Sequence, residues 1–546
     1  MPDAWPQRFI TKERPDFMIR SLLSLPKSAV TGCLPRRGGP SGRQQRRPAR
    51  SPRSTFPSML MLPLLPLLLL TDCAAGPDYV SPDPRVPDAW RNAAIADLNT
   101  PDTPDSPLES WWTAFNDTLL VRYIQRARVA NRDLAMAVAR IEEARALHRV
   151  AGGTYFPQVQ ASARMSRAEL APNGPGGAAV AAGAANPSTN WEVGGVASWE
   201  LDLFGKVRRT REATGARLEA SVEDYRDVMV SLFAQVATTY IDVRTLQSRL
   251  AFARRNVASQ QETMGIVMAR EDAGLVPLLD VSRARSNLAN TEAVIPQLEA
   301  ALEQARNGLA VLLGQWPGSL DAELAVVPER NNPETGVLLD LPVDLLRRRP
   351  DVRASERDLA VQTARIGVAA ADLYPSFSLT GALTLQAGRF GDLGESDSMG
   401  WSLAPGVRWN LFSGGKIRGL IAVEEARARQ ALAAYEKNVL TALAEVESAL
   451  VALRNEEERR DLLVMAVEAA QQSVDLVHTQ YLEGLTDFQS YLDAQRVLFN
   501  QQDQLATSRG QVLTHFVNLN RALGGGWSLD EPVPGRDAAD KEEVNR

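Results

Sequence analysis

The sequence predicts a mixed membrane fold: a β-barrel completed by several copies, joined to a long α-helical barrel, with two internal structural repeats and four strands per chain. Three observations carry this. The chain repeats itself at an offset near 210 residues, four segments alternate oily and wet side chains, and two very long stretches, 206–276 and 406–531, contain no proline.

Composition narrows the classes first. The 546 residues are 45% hydrophobic and 23% charged, ample for several domains. Two cysteines, Cys33 and Cys73, allow neither a disulfide framework nor a four-thiolate zinc site. Three scattered histidines, His148, His478 and His515, offer little for metal or triad chemistry. Residues 1–72 carry +8 within a chain of −6, which leaves −14 on residues 73–546. A body that acidic is a poor nucleic-acid binder, because neutralising phosphates takes clustered cations.

The basic N-terminus reads as an address. Arg36, Arg37, Arg43, Arg46, Arg47, Arg50 and Arg53 sit among Pro, Gly, Ser and Gln, and an apolar run from Met59 to Leu70 leads into Thr71-Asp72-Cys73. Basic region, short apolar region and processing site describe a secretory signal over 1–72, and the run is too short for a spanning helix. Ending at a cysteine, it points to lipoprotein processing, with a covalent lipid on Cys73 and a lipid-anchored segment over 73–110.

From residue 111 the repeat sets the architecture. Ala273-Gly274-Leu275 matches Glu483-Gly484-Leu485, Ala284 matches Ala494, Asn290 matches Asn500, and Leu313-Gly314 matches Leu523-Gly524. Asp202-Leu203-Phe204 answers Asn410-Leu411-Phe412, and Tyr155-Phe156-Pro157 answers Leu373-Tyr374-Pro375 at a slightly larger offset. Each unit, 111–314 and 343–526, reads helix, strand, loop, strand, long helix, turn, helix. Pro and Gly punctuate a linker over 315–342, and a polar tail, taken as disordered, occupies 527–546.

In the strands, Val159, Ala161, Ala163 and Met165 alternate with Gln158, Gln160, Ser162 and Arg164. Trp191, Val193, Ala197, Trp199, Leu201 and Leu203 do the same, then Phe377, Leu379, Leu383 and Leu385, then Met399, Trp401, Leu403, Val407, Trp409 and Leu411. That spacing gives one oily and one wet face, at a length that crosses a bilayer when tilted. A half-buried soluble sheet alternates equally well, but no further strands exist to complete a sandwich. Four strands cannot close a membrane barrel, and an open edge in lipid leaves amides unpaired at several kcal/mol each. Two copies supply eight strands and three supply twelve; a pore favours three, because eight-stranded barrels fill with side chains.

A helix of about 65 residues rises roughly 100 Å. Val439, Leu443, Val446, Leu450 and Leu453 form a seam in steps of three and four, flanked by Glu445, Glu447, Arg454 and Glu456. Gly274 with Pro277, and Gly484 with Asp487, end the long helices; return helices over 278–314 and 487–523 make each turn the tip of a helical hairpin.

These features resemble the TolC-like outer-membrane efflux factors, specifically the lipoprotein (NodT-type) branch that serves resistance-nodulation-division pumps. The matching stretches are Cys73–Tyr79, Trp111-Trp112 with Phe115, Asn131 and Leu134, Leu341–Leu346 running into Arg349-Pro350-Asp351-Val352, Leu373-Tyr374-Pro375, Trp409–Lys416 and Gly484–Arg496. The resemblance covers about residues 73–527. It implies a homotrimer with a twelve-stranded barrel in the outer membrane of a Gram-negative bacterium and a twelve-helix tube in the periplasm. A periplasmic adaptor and an inner-membrane pump are the implied partners, and drugs, dyes or toxic compounds the passively conducted cargo.

Inward carboxylates at the helix tips would form an anionic ring in three copies, raising one another's pKa and attracting cations. The tip turns offer Asp280, Asp487, Asp493 and Arg496, the last two being three residues apart on one helix face. By resemblance Asp493 matches the gate aspartate, Arg496 its nearby arginine, and Asp280 an aspartate of inter-helix links. Ser490 stands where TolC has a second ring aspartate, which leaves a double ring open. The plainer alternative is a solvated helix surface, where such pairs contribute little. As an enzyme the chain is weak: Ser413-Gly414-Gly415-Lys416 lacks the rest of a phosphate loop, and no cofactor is implied. The competing class is a secreted, non-conducting trimeric coiled-coil scaffold, which accounts for the helices but not for the paired strands.

Overall fold

Short polar residues start the first helices. Asp117 caps α1 (Thr118–Ala130) by accepting from the backbone N–H of Leu119 and Leu120. Asn131 caps α2 (Arg132–Gly153) through Asp133 and Leu134, and its amide donates to Leu312 O at 3.0 Å. The computed structural model describes residues 74–83, 86–92, 108–171, 173, 182–183, 187–326 and 348–528. The signal segment 1–72, Cys73, linker residues 327–342 and tail residues 529–546 lie outside the described residues.

α2 leads into β1 (Gln158–Ala168) and β2 (Ser188–Leu201), then α3 (Lys206–Asp272), α4 (Leu278–Glu292) and α5 (Val294–Leu312). A short α6 (Asp321–Ala325) follows. The second series is α7 (Pro350–Ala371), β3 (Ser376–Ala387), β4 (Met399–Arg408), α8 (Lys416–Leu482) and α9 (Phe488–Ala522). α3 and α8 are each 67 residues long, about 100 Å at 1.5 Å per residue.

Several boundaries differ from the sequence reading; β2 stops at Leu201 and β4 at Arg408, short of the expected Leu203 and Leu411. The first return helix is interrupted at Ala293, because Pro296 has no N–H to give the carbonyl one turn back and its ring crowds that carbonyl. Part of the linker is folded: Leu320 and Leu324 are buried, and Arg244 donates to the carbonyls of Leu324 and Val326. Trp527, assigned to the tail, is buried between the guanidinium groups of Arg226 and Arg353, at 4.5 and 5.6 Å from its ring.

The main core joins the two halves of the sequence. Phe115 meets Phe516 edge-on at 5.6 Å and Trp112 meets Phe233 at 5.1 Å, while Val439, Val446, Leu450 and Leu453 of α8 are buried in the same cluster. These are residues of the seam read from the sequence.

The four strands form one antiparallel sheet in the order β1-β2-β3-β4. Register decides which face each residue takes. Ala163 lies opposite Val193, Val193 opposite Leu385, and Leu385 opposite Met399; Trp199 lies opposite Leu379. Every oily set therefore falls on one face. Gln160, Ser162, Glu192, Glu200, Ser378, Thr380, Ser402 and Arg408 fall on the other. At the helical end Trp199 donates its indole N–H to Tyr155 O at 2.8 Å, and Trp409 donates to Leu373 O at 3.0 Å.

Candidate functional site

The tips of the two helical hairpins are built alike. Gly274 (φ +71°) and Gly484 (φ +75°) reverse the chain after α3 and α8, and Leu275 N–H and Leu485 N–H close back onto Arg270 O and Gln480 O, both at 2.8 Å. The second turn ends at Asp487, which caps α9 by accepting from Ser490 N–H at 2.8 Å and Ser490 Oγ at 2.6 Å. Those two hydrogen bonds hold the Asp487 carboxyl below the usual carboxylate range.

An apolar cluster locks the two tips together: Val267, Val281, Ala284, Tyr481, Phe488, Tyr491 and Leu492. Arg270 crosses from the end of α3 to the end of α8, donating to Tyr481 O at 2.9 Å with its guanidinium 4.8 Å from the Tyr481 ring. Burial raises the Tyr481 phenol. Just beyond lies a buried polar layer, in which Gln495 donates to Tyr491 OH at 2.8 Å and Tyr491 stacks on His478 at 5.1 Å. A cavity of about 360 Å³ opens beside it, lined by Gln260, Thr263, Asp475, His478, Tyr491 and Gln495.

The structure places Asp487 at the cap of α9 and Asp493 and Arg496 along its first turns. Asp493 is exposed, accepting from Gln489 Nε2 at 2.9 Å and lying 3.6 Å from Arg496. Arg496 reaches to the first hairpin, donating its Nε to Asn287 Oδ1 at 2.9 Å. Asp487 is engaged by the helix cap. Asp280 belongs to the other hairpin, buried at the start of α4 and 3.5 Å from Arg283. Sequence reasoning missed Arg270, Tyr481, Tyr491 and Gln495. The aromatic spacing Tyr481, Phe488, Tyr491 across the turn was the available signal.

The Arg349-Pro350-Asp351-Val352 run has a mechanical explanation. Arg349 holds Asp351 in a two-pronged pair along one guanidinium edge, Nε at 3.0 Å and Nη2 at 2.7 Å, while Nη1 donates to Glu445 of α8 at 2.7 Å and to Ala522 O of α9 at 3.1 Å. Pro350 opens α7, where a missing N–H costs nothing. Asp227 faces a small cavity lined also by Arg349, Asp351 and Glu445; burial, and after it Asp351, push its carboxyl up to about 6 against the pull of Arg349.

The N-terminal strap, described over 74–83 and 86–92, is fixed just as closely. Ala75 N–H donates to Phe204 O at 3.0 Å, beside the junction of β2 and α3. Arg209 is buried against the carbonyls of Ala75 and Gly76 and pairs with Asp78 at 2.6 Å. A Cβ on Gly76 would fall 2.5 Å from Gly367 Cα, so the strap and α7 meet backbone to backbone. Farther along, Tyr79 OH donates to Glu356 and Asn92 to Glu447.

A family model described as outer membrane efflux protein matches residues 123–315 and 341–525. Nodulation protein T of Rhizobium leguminosarum bv. trifolii is 31% identical over 462 residues, 84% of this chain and 96% of that protein. The pyoverdine export outer membrane protein OpmQ of Pseudomonas putida is 31% identical over 479 residues, covering 88% of this chain and 100% of OpmQ. Among solved structures, the outer-membrane channel OprN is similar at TM-score 0.74 and 36% identity, over 83% of this chain and 100% of that one. The open-state MtrE channel of Neisseria gonorrhoeae is similar at TM-score 0.69 and 26% identity, over 83% and 98%.

Proposed function

This chain belongs to the outer membrane efflux protein family, and we propose that it is the outer-membrane exit channel of a tripartite pump, passively conducting small molecules from the periplasm to the exterior. It carries the fold of TolC-like channels, mostly helical with one four-stranded sheet. Relatives named for pyoverdine export and toluene efflux support small organic molecules as the cargo class.

The observation that carries this reading is the sheet itself. Its register gathers the oily residues on one face, and each outer strand leaves an edge unpaired among the described residues. In lipid such edges must find partners. Three copies then supply twelve strands, with repeats 111–314 and 343–526 alternating around the axis and the long helices forming a periplasmic tube. An adaptor and an inner-membrane resistance-nodulation-division pump engage the tube. A lipid on Cys73 anchors the strap, and the seating of Ala75 on Phe204 supports an anchor at the membrane end.

At the tips, Asp493 forms an anionic ring that Arg496 helps hold shut, with Asp280 and Asp487 shaping the two turns. Planar-bilayer recording of the purified chain tests the channel reading, since a scaffold passes no current. Asp493→Ala combined with Arg496→Ala should raise resting conductance and admit bulky antibiotics to cells; unchanged values would remove the gate assignment.

A further inference from the structure

We infer that the cavity between α3, α8 and α9, behind the hairpin tips, binds an organic ammonium ion: a protonated primary amine on a short apolar stem. The site lies in the helical part, so this goes beyond the exit-channel reading and holds whether or not the sheet conducts.

The cavity interrupts a packed core. Buried residues of α3 run Ala253, Gln260, Thr263 and Val267, and those of α9 run Leu492, Gln495 and Leu498, steps that keep one stripe on each helix. Leucine or valine would fill such positions with no polar atom to satisfy; here two glutamines and a threonine take them. Part of their hydrogen bonding is met. Gln495 donates to Tyr491 OH at 2.8 Å, Thr263 donates to Ser259 O at 2.9 Å, and Asn256 donates to Gln502 at 3.1 Å. The side-chain carbonyl oxygens of Gln260 and Gln495 have no partner among the described residues. Both residues line the cavity, and they are only 7% and 8% exposed. A buried carbonyl left without a donor is costly, so the two oxygens call for a ligand that brings N–H or O–H groups.

The rest of the lining selects the donor. Asp475 and Glu262 are exposed and stand where the cavity meets solvent. Against them is one guanidinium, Arg255, drawn over the Phe252 ring at 4.5 Å. With His478 neutral the lining is therefore anionic by one charge, which favours a cation. Phe252 and the stacked pair Tyr491 and His478 supply ring surface for an alkyl stem, and ring faces also attract ammonium. An ammonium head has three N–H donors and no acceptor, so it can answer both glutamine carbonyls without adding an unpaired lone pair; an alcohol brings acceptors of its own. At about 360 Å³ the cavity stands at the small end of small-molecule sites, which suits a short stem.

Amide hydrogen exchange of the full-length chain in detergent tests the site, with n-butylammonium chloride as the probe and sodium chloride at equal ionic strength as the reference. Protection should rise over 252–266, 471–478 and 491–502 and saturate, with half-saturation on the order of 1 mM for so small a ligand, while residues 74–83 stay unchanged. Asp475→Asn removes a charge from an exposed position and should raise the half-saturating concentration about three- to tenfold. Gln260→Leu removes one of the two carbonyls and should raise it about tenfold. Butan-1-ol, of similar length and uncharged, should leave exchange unchanged at the same concentrations. Equal protection by butan-1-ol or by sodium chloride, protection that never saturates or never appears, or variants that saturate at the parental concentration would each overturn the inference. If Gln260→Leu fails to fold, Asp475→Asn and the alcohol decide it alone.

Discussion

Replacing Arg349 by methionine should unlatch the start of α7 without touching the pore. The side chain is only 10% exposed and joins α7 to α8 and to the end of α9 through Asp351, Glu445 and the Ala522 carbonyl. Removing one partner of a wholly buried pair costs about 3–5 kcal/mol. Asp351 and Glu445 keep side-chain exposures of 32% and 41%, so water takes over part of their solvation and the cost drops to about 2–3 kcal/mol. Amide hydrogen exchange is the suitable assay, because it reads local opening in an assembled membrane protein. Protection over the first turns of α7 and the last of α9 should fall by about 30- to 150-fold. Arg349→Lys, which keeps the charge but loses the planar fork, should fall in between. Unchanged exchange in both places would refute the clamp.

Asp227 gives a pH signature. Its folded pKa is raised to about 6, above the ordinary aspartate value, so the folded protein holds the proton more tightly than the unfolded chain. Its contribution is most favourable below about pH 4, declines as pH rises to about 6, and amounts to at most about 3 kcal/mol. Asp227→Asn should flatten that decline and raise stability at neutral pH, read by denaturant unfolding across a pH series. Gly367→Ala should loosen the strap, because the new Cβ would lie 2.7 Å from Ala75 O and 2.8 Å from Arg209 Cγ. The cost of such overpacking is about 1–3 kcal/mol, and proteolysis should reach residues 74–92 faster in the variant.

Much of the fold was legible because its signals are local. Period-two alternation placed all four strands, and the missing prolines together with Gly274 and Gly484 placed the long helices and their tips. Pro296 was equally visible and marks the break at Ala293, yet the surrounding helical pattern masks it. At the tips, Asp493 and Arg496 could be set on one face by spacing alone. That Arg496 bonds Asn287 of the other hairpin could not, and nor could the engagement of Asp487 with Ser490 in a cap.

What the sequence by itself determined is the set of elements: which residues alternate and which turn, since each depends on neighbours a few positions away. The tertiary structure decided the attachments between distant segments. Arg349 finds Glu445 and Ala522 at separations of 96 and 173 residues, and Trp527 lies between Arg226 and Arg353. Helical and strand periods persist for only a few residues along a chain, so no pattern in them specifies which remote carboxylate or carbonyl a guanidinium will meet; packing alone makes that choice.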